Sequence, residues 1–310
     1  MTSTRVCVLG SANMDLVVTV ERAPTRGETV TGRDFVQSPG GKGANQALAA
    51  ARSGRPGGSV HMLGAVGKDA FGATIRELLE GEGVDASGLV TVQQPTGTAH
   101  IVVDAQGENS IVVIPGANGT VGSLTDHIRK VIASSDMLVM QLELPLEVVE
   151  EAAGWAHGQG TRVMLTPAPV LPVPDSLLAN VDLLVCNEHE VVQLADEPDI
   201  VAAARALLGR GPSSVVVTCG AQGCLHVGRG TAPVEVAAPR VQAVDTTAAG
   251  DTFAGCLAVA LCEGRGVGDS LRWATAAAAM SVQRAGASGS MPHRWELDNF
   301  HASLDDGCEG

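Results

Sequence analysis

No tyrosine occurs in the chain, and all aromatic residues together make up 2% of it. Val, Leu, Ala and Ile must therefore fill the core. Stacking platforms for a base are scarce, since only Phe35, Phe71, Phe253, Phe300 and three tryptophans are available. Cationic residues are also few: Lys and Arg number 20 against 34 Asp and Glu, a formal charge of −14, and they are scattered as singles or pairs. This excludes the basic stripe that a nucleic-acid partner requires, and any anionic ligand must be held locally, by backbone N–H groups and a few cations. The seven cysteines (Cys7, Cys186, Cys219, Cys224, Cys256, Cys262 and Cys308) form no CxxC pair and are odd in number. A disulfide framework and a thiolate zinc site are both disfavoured, and reduced thiols in a cytoplasmic protein are expected. Long apolar runs are missing too. Val6–Leu9 is far too short for the apolar part of a signal peptide, and Ala274–Met280 is too brief to span a membrane. The eight histidines show no metal-binding spacing.

What is present is a chain of 310 residues, 45% hydrophobic and 17% charged, in which short apolar runs alternate with helical stretches. Val6–Leu9, Met137–Leu142, Arg162–Thr166, Asp182–Cys186 and Ser214–Thr218 are nearly continuous Val/Leu/Ile runs, as strands buried on both faces require. Between them lie helix candidates at Lys42–Ser53, Phe71–Glu80, Ser123–Ala133, Pro145–His157, Ile200–Leu208 and Asp251–Cys262. This alternation predicts a mainly parallel α/β sheet with helices on both faces, in one domain of about residues 1–304. Two pairs of extended segments break the pattern. Asp15–Val20 and Thr29–Gln37 flank a turn-rich stretch, and Thr98–Asp104 and Asn109–Ile114 flank Ala105–Glu108, a hairpin signal. Together, over about 15–37 and 98–114, they predict a small antiparallel sheet outside the main one. The polar residues 305–310 read as a frayed tail.

Three strings carry chemistry. In Asp245-Thr-Thr-Ala-Ala-Gly-Asp-Thr-Phe-Ala-Gly255, a turn of small residues, Ala248, Ala249 and Gly250, opens a helix at about Asp251. The first N–H groups of a helix have no partner within it, and that end carries positive partial charge, so it favours a phosphate. A carboxylate at the same place could accept a proton from a hydroxyl nucleophile, which together meets the needs of phosphoryl transfer. Alone, Asp251 would read as a helix cap; the whole string favours the base. The second string, Pro39-Gly-Gly-Lys-Gly-Ala-Asn-Gln-Ala47, offers close backbone approach, a cation and an amide, which suits a polyol. It is neither the phosphate-loop pattern GxxxxGK[ST] nor the dinucleotide pattern GxGxxG. The third, Gly10-Ser-Ala-Asn-Met-Asp15, follows the first strand, where open α/β sheets place their ligand crevice. Asn187-Glu-His-Glu190 ends another strand and could orient Mg²⁺ through water, or simply start a helix. Thr218-Cys-Gly-Ala-Gln-Gly223 is a strand end suited to a nucleotide neighbour, or an ordinary turn.

Taken together, these strings resemble the ribokinase branch of the PfkB carbohydrate kinase family. Gly40-Gly-Lys-Gly-Ala-Asn-Gln46 is similar to its N-terminal signature and Asp245–Phe253 to its C-terminal one. Gly27-Glu-Thr-Val-Thr-Gly32, Met140-Gln-Leu-Glu143 and Arg240–Asp245 extend the likeness over about Val6–Phe300. The resemblance implies a ribokinase-like three-layer sandwich with a mainly parallel central sheet and a small β-sheet lid that also joins a homodimer. It implies an ATP-dependent kinase acting on D-ribose at the C5 hydroxyl, with Asp251 as base and an anion hole at Ala248, Ala249, Gly250 and Asp251. Sugar contacts would come from Asn13, Met14, Asp15, Gly41, Lys42, Gly43, Ala44, Asn45, Glu143 and Asp251. ATP would meet Asn187, Thr218, Cys219, Gly220, Ala221, Gln222, Gly223, Gly250, Asp251 and Thr275, the last in a place where the family often has His or Asn. Glu190 would organise Mg²⁺ indirectly, and Asp245, Thr247, Ser281, Arg284, Gly286 and Ser290 would surround an activating K⁺. Deoxyribose, a nucleoside or another sugar are alternative substrates, although the shortage of aromatics argues against a nucleoside. A non-catalytic sugar-binding regulator would not need a carboxylate beside an anion hole. A dinucleotide oxidoreductase would need the missing fingerprint.

Overall fold

The computed structural model describes residues 4–306. Strands β1 (Arg5–Leu9), β2 (Asn13–Thr19) and β3 (Asp34–Gly40) lead into helix α1 (Lys42–Ser53). Next come β4 (Ser59–Gly67), α2 (Ala70–Gly81), β5 (Val84–Val92), β6 (Gly97–Val103) and β7 (Asn109–Ile114). The middle of the chain forms α3 (Asp126–Ala133), β8 (Met137–Met140), α4 (Leu146–Gln159), β9 (Arg162–Leu165), the single turn α5 (Asp175–Leu178), β10 (Leu183–Asn187), α6 (Glu188–Ala195) and α7 (Ile200–Arg210). It closes with β11 (Ser214–Thr218), β12 (Cys224–Gly228), β13 (Val234–Val236), α8 (Ala249–Cys262), α9 (Val267–Ser281) and α10 (Arg294–Asp306). Helix α10 runs into the stretch expected as a tail, and residues 307–310 of that stretch lie outside the described residues.

Nine strands form the main sheet in the order β13-β12-β11-β10-β9-β8-β1-β4-β5. All neighbours from β11 to β5 run parallel, and the β11–β12 and β12–β13 pairs are antiparallel. Alternating side chains of a strand point to opposite faces, and the core follows that rule. Val6, Val8, Met137 and Val139 join one buried cluster with α1, α2, α8 and α9. Cys7, Leu9, Leu138 and Met140 join the other, with α3, α4, α6 and α7. The continuous apolar runs are thus the signature of a sheet covered on both faces, and the result is the three-layer α/β sandwich. Among the described residues no helix is long and apolar enough to cross a membrane.

A separate sheet of order β3-β2-β6-β7 stands beside the main one. It is mixed rather than antiparallel as expected: β2 pairs with β6 in parallel, Asp15 opposite Ala99, because the chain returns through β4, α2 and β5 before it forms β6. The β6–β7 hairpin closes on an Asp104 side chain that accepts from the Gln106 and Glu108 N–H groups (2.9 and 3.0 Å). β3 begins at Asp34, so Thr29–Arg33 lies outside the strand in which it was expected. The outer part of this sheet is poorly covered: Phe35, Val36 and Ile111–Ile114 are all exposed.

Candidate functional site

The site is assembled where α1 and α8 start. Helix α1 begins after Gly41, which has φ +90°, in the left-handed region where a Cβ is strained. A Cβ at Gly43 would stand 2.6 Å from the Gly10 carbonyl carbon and 2.7 Å from the Ser11 N. The glycines of this string therefore let the first turn of α1 press against the exit of β1, backbone to backbone. On α8, a Cβ at Gly255 would stand 2.5 Å from the Gln46 carbonyl oxygen. That close crossing brings Asp251, one turn earlier, to the side chains of α1. Asn45 Nδ2 donates to Asp251 Oδ2 (3.0 Å), and Gln46 Nε2 donates to Asp251 Oδ1 (2.9 Å).

Beside this carboxylate lie side chains expected from the sequence to turn toward a sugar. Ser11 donates its hydroxyl hydrogen to Glu143 Oε2, which also accepts from the Lys42 N–H (3.4 Å). Asn118, buried in a turn at Gly116–Thr120, accepts from the Ala12 N–H (3.0 Å) and donates to Asn13 Oδ1 (2.7 Å). The Asp15 carboxylate covers Gly40, where a Cβ would stand 2.1 Å from its Oδ2. Burial, reinforced by the Glu143 and Asp251 carboxylates, pushes the Asp15 carboxyl up to about 7, with Lys42 opposing. Burial acts to lower the Lys42 ammonium, but the Asp251, Glu143, Glu190 and Asp15 carboxylates together hold it above its ordinary value. Lys42 is thus the cation around which these acids gather. Met14 and Ala44 do not present side chains here; both pack in the core, and the Ala44 N–H is committed to the Ser11 carbonyl (2.9 Å).

At the start of α8, Ala248 takes a left-handed conformation (φ 57°) and the helix begins at Ala249, two residues before the expected start. The Ala249 N–H donates to the Thr246 carbonyl (3.2 Å) and the Thr252 N–H to the Ala248 carbonyl (2.8 Å). The N–H groups of Gly250 and Asp251 between them have no acceptor among the described residues. A Cβ at Gly250 would meet no atom within 4 Å. Gly250 and Asp251, which carry these two free donors, border open space beside the Asp251 carboxylate.

That space continues into a cavity of about 240 Å³, lined by Lys42, Gln46, Asn187, Glu190, Thr246 and Asp251 among others. A second cavity of about 580 Å³ adjoins it and shares Asn187, Thr218, Thr246, Ala249 and Gly250. Gly220, Ala221, Gly223, Thr275, Ala278 and Ala279 give the larger cavity small, largely apolar walls. Cys219 and Gln222 of the same turn do not line it: the Cys219 thiol points back to the Val217 carbonyl (3.6 Å), and Gln222 is exposed. Asn187 and Glu190 serve a structural end as well. They form a reciprocal cap at the start of α6, Asn187 N–H to Glu190 Oε2 and Glu190 N–H to Asn187 Oδ1, both 2.8 Å. Thr246, lining both cavities, was not singled out in the sequence, nor were Ser11, Gln46, Asn118 and Thr166.

Of the segments expected around a monovalent cation, Asp245 is bonded to the stretch 282–286. Asp245 Oδ1 accepts from the Thr247 N–H (2.9 Å) and Oδ2 from the Gly286 N–H (2.7 Å). Burial pushes the Asp245 carboxyl up, but these bonds outweigh it and hold the carboxyl below its usual value. The Ser281 and Ser290 hydroxyls donate to their own local carbonyls, Ala278 and Ala287. The Arg284 side chain turns away to pair with Glu296. Among the described residues, no cluster of three or more His, Cys, Asp or Glu side chains is placed to hold a metal directly.

The sequence pattern described as "pfkB family carbohydrate kinase" matches residues 3–294. A ribokinase of Schizosaccharomyces pombe is 40% identical over 306 residues, spanning 94% of this chain and 96% of its own. A deoxyribokinase of Salmonella typhi is 36% identical and spans 95% and 98%. The solved structure of Arabidopsis thaliana ribokinase complexed with ribose and ATP superposes with a TM-score of 0.91 at 33% identity, over 97% of this chain and 99% of that one.

Proposed function

The chain belongs to the pfkB family of carbohydrate kinases and is a sugar kinase; from that premise we propose that it moves the γ-phosphoryl group of ATP to the C5 hydroxyl of D-ribose, with Asp251 accepting the hydroxyl proton. One observation carries this reading. The Asp251 carboxylate, fixed by Asn45 and Gln46, sits beside the free Gly250 and Asp251 N–H groups. A base and an anion hole at one helix start are what an in-line transfer to a hydroxyl requires. The oxygen–phosphorus bond to C5 forms, the bond to the ADP oxygen breaks, and the proton goes to Asp251. Lys42 offsets negative charge between the acidic sugar end and the incoming phosphate. The larger cavity takes the nucleoside and the smaller one the phosphates.

Ribose is supported by the ribokinase relatives and by the polar set Asn13, Asp15, Asn45 and Glu143, while the deoxyribokinase relative makes deoxyribose the nearest competitor. Glu190 lines the smaller cavity and uses only Oε2 in its cap, so its donor chemistry fits a water-bound Mg²⁺, which would neutralise phosphate charge. The Asp245 carboxylate and the carbonyls of the 281–290 loop are hard oxygens, the donor class for K⁺, which would steady the loop behind the α8 start. The apolar outer part of the lid sheet, Phe35, Val36 and Ile111–Ile114, is the surface we assign to pairing with a second copy. The test is ADP release with Mg-ATP in potassium buffer across ribose, deoxyribose, fructose and nucleosides. Turnover confined to ribose is expected, with a lower rate when sodium replaces potassium. Turnover on another sugar alone would move the substrate assignment, and none at all would bring forward a binding-only role.

A further inference from the structure

We propose that Gln46 is the positioning residue of the Asp251 base and that Gln141 fixes which way the Gln46 amide faces. The proposal rests on the reading of Asp251 as base. Gln46 and Gln141 are both buried, 1% and 0% exposed, so their amides must find most of their partners within the protein. Gln46 Nε2 donates to Asp251 Oδ1 (2.9 Å) and to Thr166 Oγ1 (3.1 Å). The Thr166 hydroxyl donates in turn to the Met140 carbonyl (3.3 Å), which leaves its oxygen as the acceptor for Gln46. Gln46 Oε1 accepts from Gln141 Nε2 (2.7 Å). Flipping the Gln46 amide would set its oxygen against the Asp251 carboxylate and its NH₂ against that of Gln141, so two repulsions would replace two bonds.

Gln141 carries the more telling observation. Its Oε1 is buried without a hydrogen-bond partner, and it lies 1.9 Å from where a Cβ at residue 10 would stand, so Gly10 makes room for it. A buried unpaired amide oxygen is costly, and an apolar side chain would avoid the cost. What the amide at 141 provides is the donor that holds the Gln46 oxygen and so turns the Gln46 NH₂ toward the base. With Asn45 on Oδ2, the Gln46 donor on Oδ1 fixes the carboxylate plane, so the proton-accepting lone pair has a set direction.

The test uses the full-length protein with Gln46→Glu, Gln46→Met and Gln141→Met. For each, the pH profile of kcat/KM for ribose is measured beside thermal unfolding and the KM for ATP. A misplaced reacting group can cost ~10²-fold, so Gln46→Met should lower kcat by about 10- to 100-fold with little change in KM for ATP. Gln46→Glu keeps the shape and its bond from Gln141 but puts a second carboxylate against Asp251. Its acid limb should move to higher pH by about one unit or more, with activity recovering in alkali. Gln141→Met should move the limb the same way by less. If the Met variant fails to fold, the Glu variant decides. Folded Gln46 variants with the parental kcat and an unmoved acid limb would overturn the proposal. Asp251→Asn separates the two readings: if it stays active, the base assignment itself falls, whereas loss of turnover there with unmoved limbs in the Gln46 variants removes only the positioning role.

Discussion

The two ends of the site, proposed to take the sugar and the nucleotide, are built on different principles. At the sugar end nearly every polar side chain is tied to another across long stretches of sequence: Ser11 to Glu143, Asn118 to Asn13, Asn45 and Gln46 to Asp251. At the nucleotide end Gly220, Ala221, Gly223, Ala249, Ala278 and Ala279 form much of the wall, and polar side chains that share it, such as Glu188, His189 and Arg240, are not tied to one another. On the proposed function, the first end would read its ligand through a fixed side-chain network and the second mainly through shape and backbone. Substitutions should therefore hurt for opposite reasons at the two ends, identity at the first and bulk at the second.

The sharpest way to break that contrast is steric. Gly43→Ala would set a methyl group 2.6 Å from the Gly10 carbonyl carbon, and neither backbone can rotate away. Over-packing costs about 1–3 kcal/mol, and the shift of Lys42 and Asn45 should lower kcat/KM for ribose by ~10²-fold or more. Steady-state kinetics with a thermal melt check this, and parental kinetics would show that the close approach is not needed.

A smaller effect should come from Asp15. Its carboxyl is raised from an ordinary value of 3.8 to about 7 in the folded protein, so the folded state binds more protons than the unfolded one between those values. Stability is therefore lost as pH rises from about 4 to about 7, and the penalty is complete above 7. Asp15→Asn removes it. The variant should gain more in melting temperature at pH 8 than at pH 5, while its KM for ribose rises because the charged acceptor is gone. In the parent, kcat/KM for ribose should climb as pH passes through about 7. A gain independent of pH would mean that Asp15 does not titrate there.

The smallest effect should be Thr275→Val, which keeps volume and removes a hydroxyl that contacts the Cys224 thiol at 3.5 Å. If shape rules the nucleotide end, KM for ATP should change by less than about threefold, because the lost contact is a weak one. A change beyond about tenfold would mean that this end too reads polar identity.

The parts of this molecule legible in its sequence are those encoded over short spans. Lys42–Ser53 and Ser214–Thr218 have the predicted bounds, since a glycine before a run of good helix formers, and a Val run ended by a turn, are local signals. The small residues before Asp251 marked the helix start for the same reason, although α8 takes in Ala249 and Gly250, which were expected in the turn. The web around Asp251 was not. Gln46 reaches Thr166 and Asp251, 120 and 205 residues away, and Gln141 reaches Gln46 across 95. Such contacts leave no periodicity to read. Strands β4 and β5 were not legible because glycines at 64 and 88 interrupt their apolar runs. Asn187 and Glu190 show the reverse case. Both readings of that string hold residues in the same place, a helix cap and a cavity wall, so the sequence could not choose between them.

The measurement that bears most directly on the account is turnover and ATP binding by Asp251→Asn. General-base catalysis contributes ~10²–10⁴-fold, so kcat for ribose phosphorylation should fall by about that factor while calorimetry finds ATP affinity within a few-fold of the parent. A variant that turns over within a few-fold of the parent would contradict the assignment of Asp251 as the group that takes the proton.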